Sequence, residues 1–385
     1  MTDKMTDKMA DKMADKMADN IISEILAHYS IPGALTEAKP FGSGHINDTI
    51  RLTFVSGPRS RYVLQKINTG IFKTPDKLME NTVNVTSFLR RKIIAAGGDP
   101  ERETLNVVPA SDGKPYYIAS DGSFWRITKF IENAFSCDVA SAPEDLYMTG
   151  KAFGNFQSML SDYPAETLHD VLPGFHDTRA RYANFIETVR ADRAGRADSC
   201  RDEIQFILER EELARFSMDS LDSGALPLRV THNDTKINNL MIDNDTHEAV
   251  CVIDLDTVMP GLAMTDFGDG IRTGTCTGAE DEPDTDKIEC SLKLYDAFTH
   301  GFIEGCGGKL TEYELDTLPM GALGITYEQA LRFLDDYLNG DTYYKTDYPE
   351  HNLVRTRTQI KMVRELEAKQ KEIDEIIRKY RKPKA

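Results

Sequence analysis

The chain is poor in paired cysteines, in positive charge and in long apolar runs. Its six cysteines (Cys137, Cys200, Cys251, Cys276, Cys290 and Cys306) lie far apart, with no CxxC among them. That spacing excludes a zinc ribbon or a dense disulfide framework and fits thiols kept reduced in the cytoplasm. Lys and Arg number 46 against 63 Asp and Glu, a net charge of −17. A general nucleic-acid binder, which needs a basic face for phosphates, is excluded. No apolar run approaches the roughly 18 residues of a membrane span; residues 249–253 are typical of the longest. The first residues carry no apolar stretch of signal-peptide type. Walker A is missing, because Gly308-Lys309 is followed by Leu310, and P-loop chemistry goes with it. HExxH and GxSxG are also missing, which argues against a zinc protease or a serine hydrolase.

What is present is ample for a core: 40% of the 385 residues are hydrophobic and 28% charged. Residues 1–20 are a tandem tetrapeptide, MTDK-MTDK-MADK-MADK-MADN. A four-residue period drifts around a helix, and it stacks like charges at i,i+4. We expect a flexible leader there. From Asn20, a candidate N-cap, Ile21, Ile22, Ile25, Leu26 and Tyr29 make a helical stripe that Pro32 stops. Strand patterns then cover residues 49–55, 61–67, 116–119 and 124–131, with one long helix from Thr74-Pro75 to Gly97-Gly98. After Ile131 the helical period takes over, near 144–161 behind a Ser141-x-x-Glu144 box, 179–191, 201–221, 287–304, the Thr311-x-x-Glu314 box, 326–339 and 354–381. The expectation is an α+β chain: a small antiparallel-sheet region with one long helix over 21–131, then a mostly helical region over 132–385.

The segment richest in chemistry is His232-Asn233-Asp234-Thr235-Lys236-Ile237-Asn238-Asn239, an H-x-D-x-x-x-x-N pattern. Leu240-Met241-Ile242, a polar stretch over 243–247 and the apolar run 249–253 follow, which reads as a β-hairpin. Asn239 precedes the first strand and Asp254 ends the second, so both fall at the open end of the hairpin. Opposed Cβ atoms there are about 5 Å apart. An amide oxygen and a carboxylate at that spacing can share one Mg²⁺, whose ligands sit at roughly 2.1 Å. Asp234, five residues before Asn239, is placed to orient the proton of an acceptor hydroxyl. An Asp for the proton, with an Asn and a second Asp for metal, is the set that phosphoryl transfer uses. The bland alternative is a polar loop with Asp234 as a turn residue.

Asp266-Phe267-Gly268 spells the metal-binding triplet of protein kinases. It lies twelve residues past Asp254, beyond Pro260-Gly261, with nothing to pair it to Asn239. Asp266 is expected to be structural instead, bonding backbone amides near the Asp234 loop. Asp256 is open between metal contact and solvation. On the nucleotide side, Gly42-Ser43-Gly44 lies between two strands, where small residues let backbone N–H groups approach phosphate. It lacks a third glycine, having Asn47 there. Lys66 amid strand apolars needs a partner. The following helix offers Glu80, so a Lys66–Glu80 pair steadying the phosphates is expected; a snorkelling edge lysine is the alternative.

The His232–Asn239 motif, Val252-Ile253-Asp254-Leu255-Asp256-Thr257-Val258-Met259-Pro260-Gly261 and Asp266-Phe267-Gly268-Asp269 resemble the aminoglycoside phosphotransferase and choline kinase superfamily. Gly42-Ser43-Gly44-His45-Ile46-Asn47-Asp48-Thr49 and Leu78-Met79-Glu80-Asn81 draw the likeness toward its N-acetylhexosamine 1-kinases. The resemblance implies a protein-kinase-like bilobal fold, ATP and Mg²⁺. It also implies Asp234 as catalytic base, Asn239 and Asp254 as metal ligands, Lys66 as phosphate lysine, and Phe130 and Ile131 beside adenine. The expected reaction moves the γ-phosphoryl group to the anomeric hydroxyl of an N-acetylhexosamine. Other small acceptors (an aminoglycoside, an amino alcohol, another sugar) or a non-catalytic nucleotide-binding module are the competing readings. Asp269-Gly270 departs from the family pattern, where Ala is expected after the Asp. His45, Asn47 and Arg355 either contact the acceptor or brace their surroundings. The last 25 residues carry nine Lys/Arg against five Asp/Glu. They are expected to pack one helical face on the helical region. A monomer, docked to no membrane or nucleic acid, completes the expectation.

Overall fold

A computed structural model describes residues 20–42, 46–55, 60–140 and 142–381. The chain divides into two compact units, Met1–Asn133 and Ala134–Ala385. Residues 1–19 of the repeat leader and residues Ser43, Gly44, His45 and Ser141 lie outside the described residues.

The first unit is an antiparallel sheet of β1 (Ala34–Pro40), β2 (Asp48–Val55), β3 (Arg61–Ile67), β4 (Val107–Val108), β5 (Tyr117–Ile118) and β6 (Phe124–Lys129), with α2 (Pro75–Ala96). Residues 20–26 form α1, so Asn20 is already helical. The strand order is β1-β2-β3-β6-β4, with β5 also on β6. Strand alternation gives the sheet two faces. Leu52, Phe54, Tyr62, Leu64, Trp125 and Ile127 pack with Ile22, Ile25 and Tyr29 of the α1 segment. The opposite face carries Gln65 and its cross-strand partner Arg126, whose guanidinium reaches Met79 Sδ of α2 at 3.9 Å. Gly97 closes α2 with φ +82, a left-handed turn that only glycine adopts cheaply.

The second unit holds nine helices and three short strand pairs among its described residues: α3 (Pro143–Met159), α4 (Thr178–Ala191), α5 (Arg201–Leu208), α6 (Glu211–Asp222), α7 (Ala263–Thr275), α8 (Leu292–Gly305), α9 (Glu312–Leu338), α10 (His351–Ala368) and α11 (Gln370–Tyr380), with β7 (Ala134–Phe135), β8 (Arg229–Thr231), β9 (Leu240–Asp243), β10 (Ala249–Val252) and β11 (Met259–Gly261). α3 starts one residue later than the Ser141 box implies, and Asp145 reaches back to the Ala142 N–H at 3.0 Å. The Thr311–Glu314 capping box forms as expected. Two expected helices are each broken, into α5–α6 and α10–α11. In contrast, α9 runs unbroken through Pro319, giving up one backbone hydrogen bond there.

Helices pack closely where glycines allow it. A Cβ on Gly150 or Gly154 of α3 would collide with the Phe298 or Phe302 carbonyl of α8, and one on Gly301 or Gly305 with the Tyr147 or Lys151 carbonyl of α3. α7 meets α9 in the same way at Gly268 and Gly321. Its residues 263–271 are all buried. α11 seats Ile373 and Ile377 in the core, while Lys379 and Arg381 pair with Asp296 and Asp316. The expected packing of the basic C-terminal helix is therefore what the fold adopts.

Candidate active site

The H-x-D-x-x-x-x-N segment is a loop between β8 and β9, and the chain around it is knitted into one network. β8 pairs with β11, bringing Thr231 opposite Met259. Thr257 Oγ1 donates to His232 O at 2.7 Å, and Asn233 Nδ2 donates to Thr257 O at 2.8 Å. His232 is fully buried against Phe153 and Phe156. Its Nδ1 accepts the Asp234 N–H at 3.3 Å, which leaves Nε2–H to donate to Ile253 O at 2.9 Å. One imidazole thus ties the residue before Asp254 to the loop that carries Asp234.

The loop is also held from α7. Asp266 accepts the His232 N–H (2.9 Å), the Asn233 N–H (2.8 Å) and Gln157 Nε2 (2.6 Å). It is the structural carboxylate expected of it, although burial raises its pKa against the pull of these donors. Asp269 accepts the Thr235 N–H at 2.8 Å and Arg272 Nη2 at 3.2 Å. Arg272 also holds Glu280 at 2.9 Å. These bonds fix Asn233 at φ +63 and leave the Asp234 side chain half-exposed.

Asp234 and Asn239 come together as the spacing implies. Asn239 Nδ2 donates to Asp234 Oδ2 at 2.9 Å and to Asp234 O at 2.8 Å. Both amide hydrogens are thereby spent, and Asn239 Oδ1 is turned away from Asp234. The hairpin forms, with Val252 opposite Leu240 and the Ile253 N–H on Asn239 O at 2.9 Å. Asp254 follows directly, exposed, with φ +57. Asn239 Oδ1 and the Asp254 carboxylate are hard oxygen donors at one hairpin end, a set suited to Mg²⁺, which takes one or two carboxylates and completes its shell with water and phosphate. Among the described residues no group of three His, Cys, Asp or Glu could hold a metal alone. Asp256 is buried one turn on.

Lys236, inside the same motif, also meets Asp234. Its Nζ lies 2.9 Å from Asp234 Oδ1. Burial pulls this ammonium down, but Asp234, Asp269 and Asp254 outweigh it and its pKa is raised. A lysine two residues past Asp234 in the same motif was the available signal.

In the first unit, Gly42 sits at φ +86 just after Phe41, with open space where a Cβ would be. Asn47 Oδ1 accepts the Asn68 N–H at 2.9 Å, so this side chain braces the end of β3. Phe130 lies 5.6 Å from the Phe41 ring and under the Arg61 guanidinium, at 4.4 Å; Ile131 is buried. Glu80 is exposed on the second turn of α2. The expected Lys66–Glu80 pair needs correction. Lys66 is opposite Trp125 in the ladder, so it shares the face of Tyr62 and Leu64 and acts on Asp121. Met79, beside Glu80, meets Arg126 on the other face. A one-residue step along a strand reverses the face, and the buried cation on the α2 face is Arg126, 4% exposed. Arg355, in the second unit, donates to Lys345 O at 3.1 Å and lies over Phe333, which anchors the loop before α10.

Comparison with known proteins agrees with this architecture. Residues 37–297 match the model of a family described as "Phosphotransferase enzyme family". An aminoglycoside phosphotransferase from Alicyclobacillus acidocaldarius shares the fold at 13% identity, over 91% of this chain and 96% of that one, with TM-score 0.55. Choline kinase from Cryptosporidium parvum does so at 15% identity, over 89% and 91%, with TM-score 0.53. A spectinomycin phosphotransferase solved with ADP and spectinomycin matches at 12% identity, over 88% and 94%, with TM-score 0.52.

Proposed function

Because the chain belongs to the phosphotransferase enzyme family, we propose that it is an ATP- and Mg²⁺-dependent small-molecule kinase acting on a sugar, and that its acceptor is the anomeric hydroxyl of an N-acetylhexosamine. The observation that carries the kinase reading is the convergence of Asp234, Asn239 and Lys236 on one loop held by Asp266 and Asp269. The sugar rests on the sequence likeness alone.

In this reading Asp234 accepts or orients the proton of the acceptor hydroxyl. Asn239 fixes one carboxylate oxygen of Asp234 and Lys236 the other, so the base enters the reaction already oriented. Such positioned proton transfer typically contributes about 10²–10⁴ in rate. Asn239 Oδ1 and Asp254 would hold the metal, which, when bound, neutralises phosphate charge. Gly42 and the turn after it, with Phe130 and Ile131, are assigned to the nucleotide. The protein would act as a monomer.

Phosphorus NMR of the product from an acceptor panel with ATP tests both levels. Phosphate on the anomeric oxygen of N-acetylglucosamine or N-acetylgalactosamine is the expected result. Phosphate on choline or an aminoglycoside instead would overturn the sugar while leaving the kinase. No transfer to any acceptor, with nucleotide bound, would overturn the kinase.

A further inference from the structure

Two of the six cysteines face each other at the far end of α7. The chain leaves α7 through Cys276, loops over residues 277–289 and returns through Cys290 into Ser291, whose hydroxyl caps α8. Cys276 and Cys290 are partners in an antiparallel bridge. The Ser291 N–H donates to Thr275 O at 2.9 Å, and the Thr277 N–H to Glu289 O at 3.1 Å. These bonds bracket the pair and do not join it. That defines the narrow position of an antiparallel ladder, where Cα atoms stand about 4.5 Å apart with side chains close. A disulfide spans Cα separations of about 4.4–6.8 Å, so this pair can be bridged with little backbone movement. Both sulfurs are free.

We propose that Cys276 and Cys290 form a dithiol site that a small-molecule disulfide of the oxidised-glutathione class closes to an intramolecular disulfide. Cys276 is half-buried and Cys290 buried, so Cys276 is the thiol that meets the reagent. Its thiolate attacks one sulfur of the reagent, a protein–reagent S–S bond forms, the reagent's own S–S bond breaks, and one thiolate leaves. The Cys290 thiol then loses its proton and attacks Cys276 Sγ, expelling the second reagent thiolate. Two protein thiols are oxidised and one small disulfide is reduced to two thiols. Burial raises both cysteines, Cys290 to about 11, so closure accelerates as pH rises and more thiolate is present.

Closure would pin the base of a loop tied to the reactive segment. Glu280 in that loop holds Arg272 at 2.9 Å, Arg272 holds Asp269, and Asp269 accepts the Thr235 N–H. Asp281 in the same loop bonds His351 at 3.1 Å.

The test treats the full-length folded protein with oxidised glutathione at mildly alkaline pH and then counts thiols after denaturation. The expected result is a loss of two of the six thiols, a peptide map joining Cys276 to Cys290, and full recovery with dithiothreitol. Cys290→Ser should stop at a glutathione adduct on Cys276, and Cys276→Ser should form no disulfide and lose no thiol beyond an adduct on Cys137, which is half-buried like Cys276. Retention of all six thiols in the wild type, a linkage through any other cysteine, or the same two-thiol loss in the Cys276→Ser/Cys290→Ser double variant would overturn the site.

Discussion

At the scale of single residues, Asp234 is the sharpest test. In Asp234→Asn one acceptor oxygen remains for Lys236, and Asn239 keeps its bond to the backbone carbonyl of residue 234. Asp266 and Asp269 still hold the backbone, so the loop should stay folded while kcat falls by about 10²–10⁴. Wild-type turnover in a folded Asp234→Asn protein would remove the base. Lys66 gives a second test, because its strand position turns it from α2. Lys66→Met should leave the KM for ATP within about threefold, under 1 kcal/mol of binding. A tenfold rise would return Lys66 to the phosphates. The nearness of Asp234 to Asn239 was legible because only five residues separate them in one loop, and that of Asn239 to Asp254 because both ends of a hairpin are fixed by pattern and count. The face of Lys66 was not, since its parity depends on which side of the sheet α2 covers. Lys236 and Asp269 stood in plain view in their motifs, but a local pattern does not say that Lys236 turns back onto Asp234 two residues before it, or that Asp269 takes the Thr235 N–H 34 residues away.

At the scale of elements, the α3–α8 seam sets the prediction. Gly150→Ala and Gly301→Ala each place a methyl group against a backbone carbonyl of the facing helix, which cannot rotate away as a side chain could. Each should destabilise the protein by about 1–3 kcal/mol or more, read as a lower denaturation midpoint with unchanged m-value. Gly308→Ala, at the surface with φ +77 and open space, serves as a control in which only backbone strain is felt. α2 was legible from its Thr74-Pro75 start and Gly97-Gly98 stop, and the C-terminal helix from the one face it keeps for packing. α7 was not: residues 263–271 are buried all round and include Gly268 and Gly270, so no 3.6-residue contrast survives. Pro319 hid the continuity of α9 in the same manner, because packing on both sides outweighs one lost hydrogen bond.

At the scale of the whole molecule, acid stability follows from Glu328. This carboxylate is 2% exposed and holds Thr178 Oγ1 at 2.7 Å and His176 Nδ1 at 3.1 Å, with Arg181 and Arg332 each at 3.9 Å. Burial pushes it up, but His176, Arg332 and Arg181 outweigh that and hold it at about 2. A carboxyl depressed in the folded state binds fewer protons there than in the unfolded chain, so its stabilisation is present above pH 4.5 and is lost as pH falls toward about 2. The loss should be on the order of 3 kcal/mol. Glu328→Gln should be less stable at pH 7 and show a flatter stability profile between those limits in urea titrations. An unaltered profile would remove Glu328 from the acid response. The two-unit order along the chain was readable from the change in period near residue 132, since strands and helices leave different repeats; how each unit is filled was not, because burial is a property of neighbours distant in sequence.

The anchoring of the Asp234 loop to a helix with no wet side over its first nine residues carries one more implication. Amides inside such a helix exchange with deuterium only when the surrounding unit opens as a whole. Turnover in mild denaturant should then persist until that global opening, with no earlier fraying phase of the Asp234 loop.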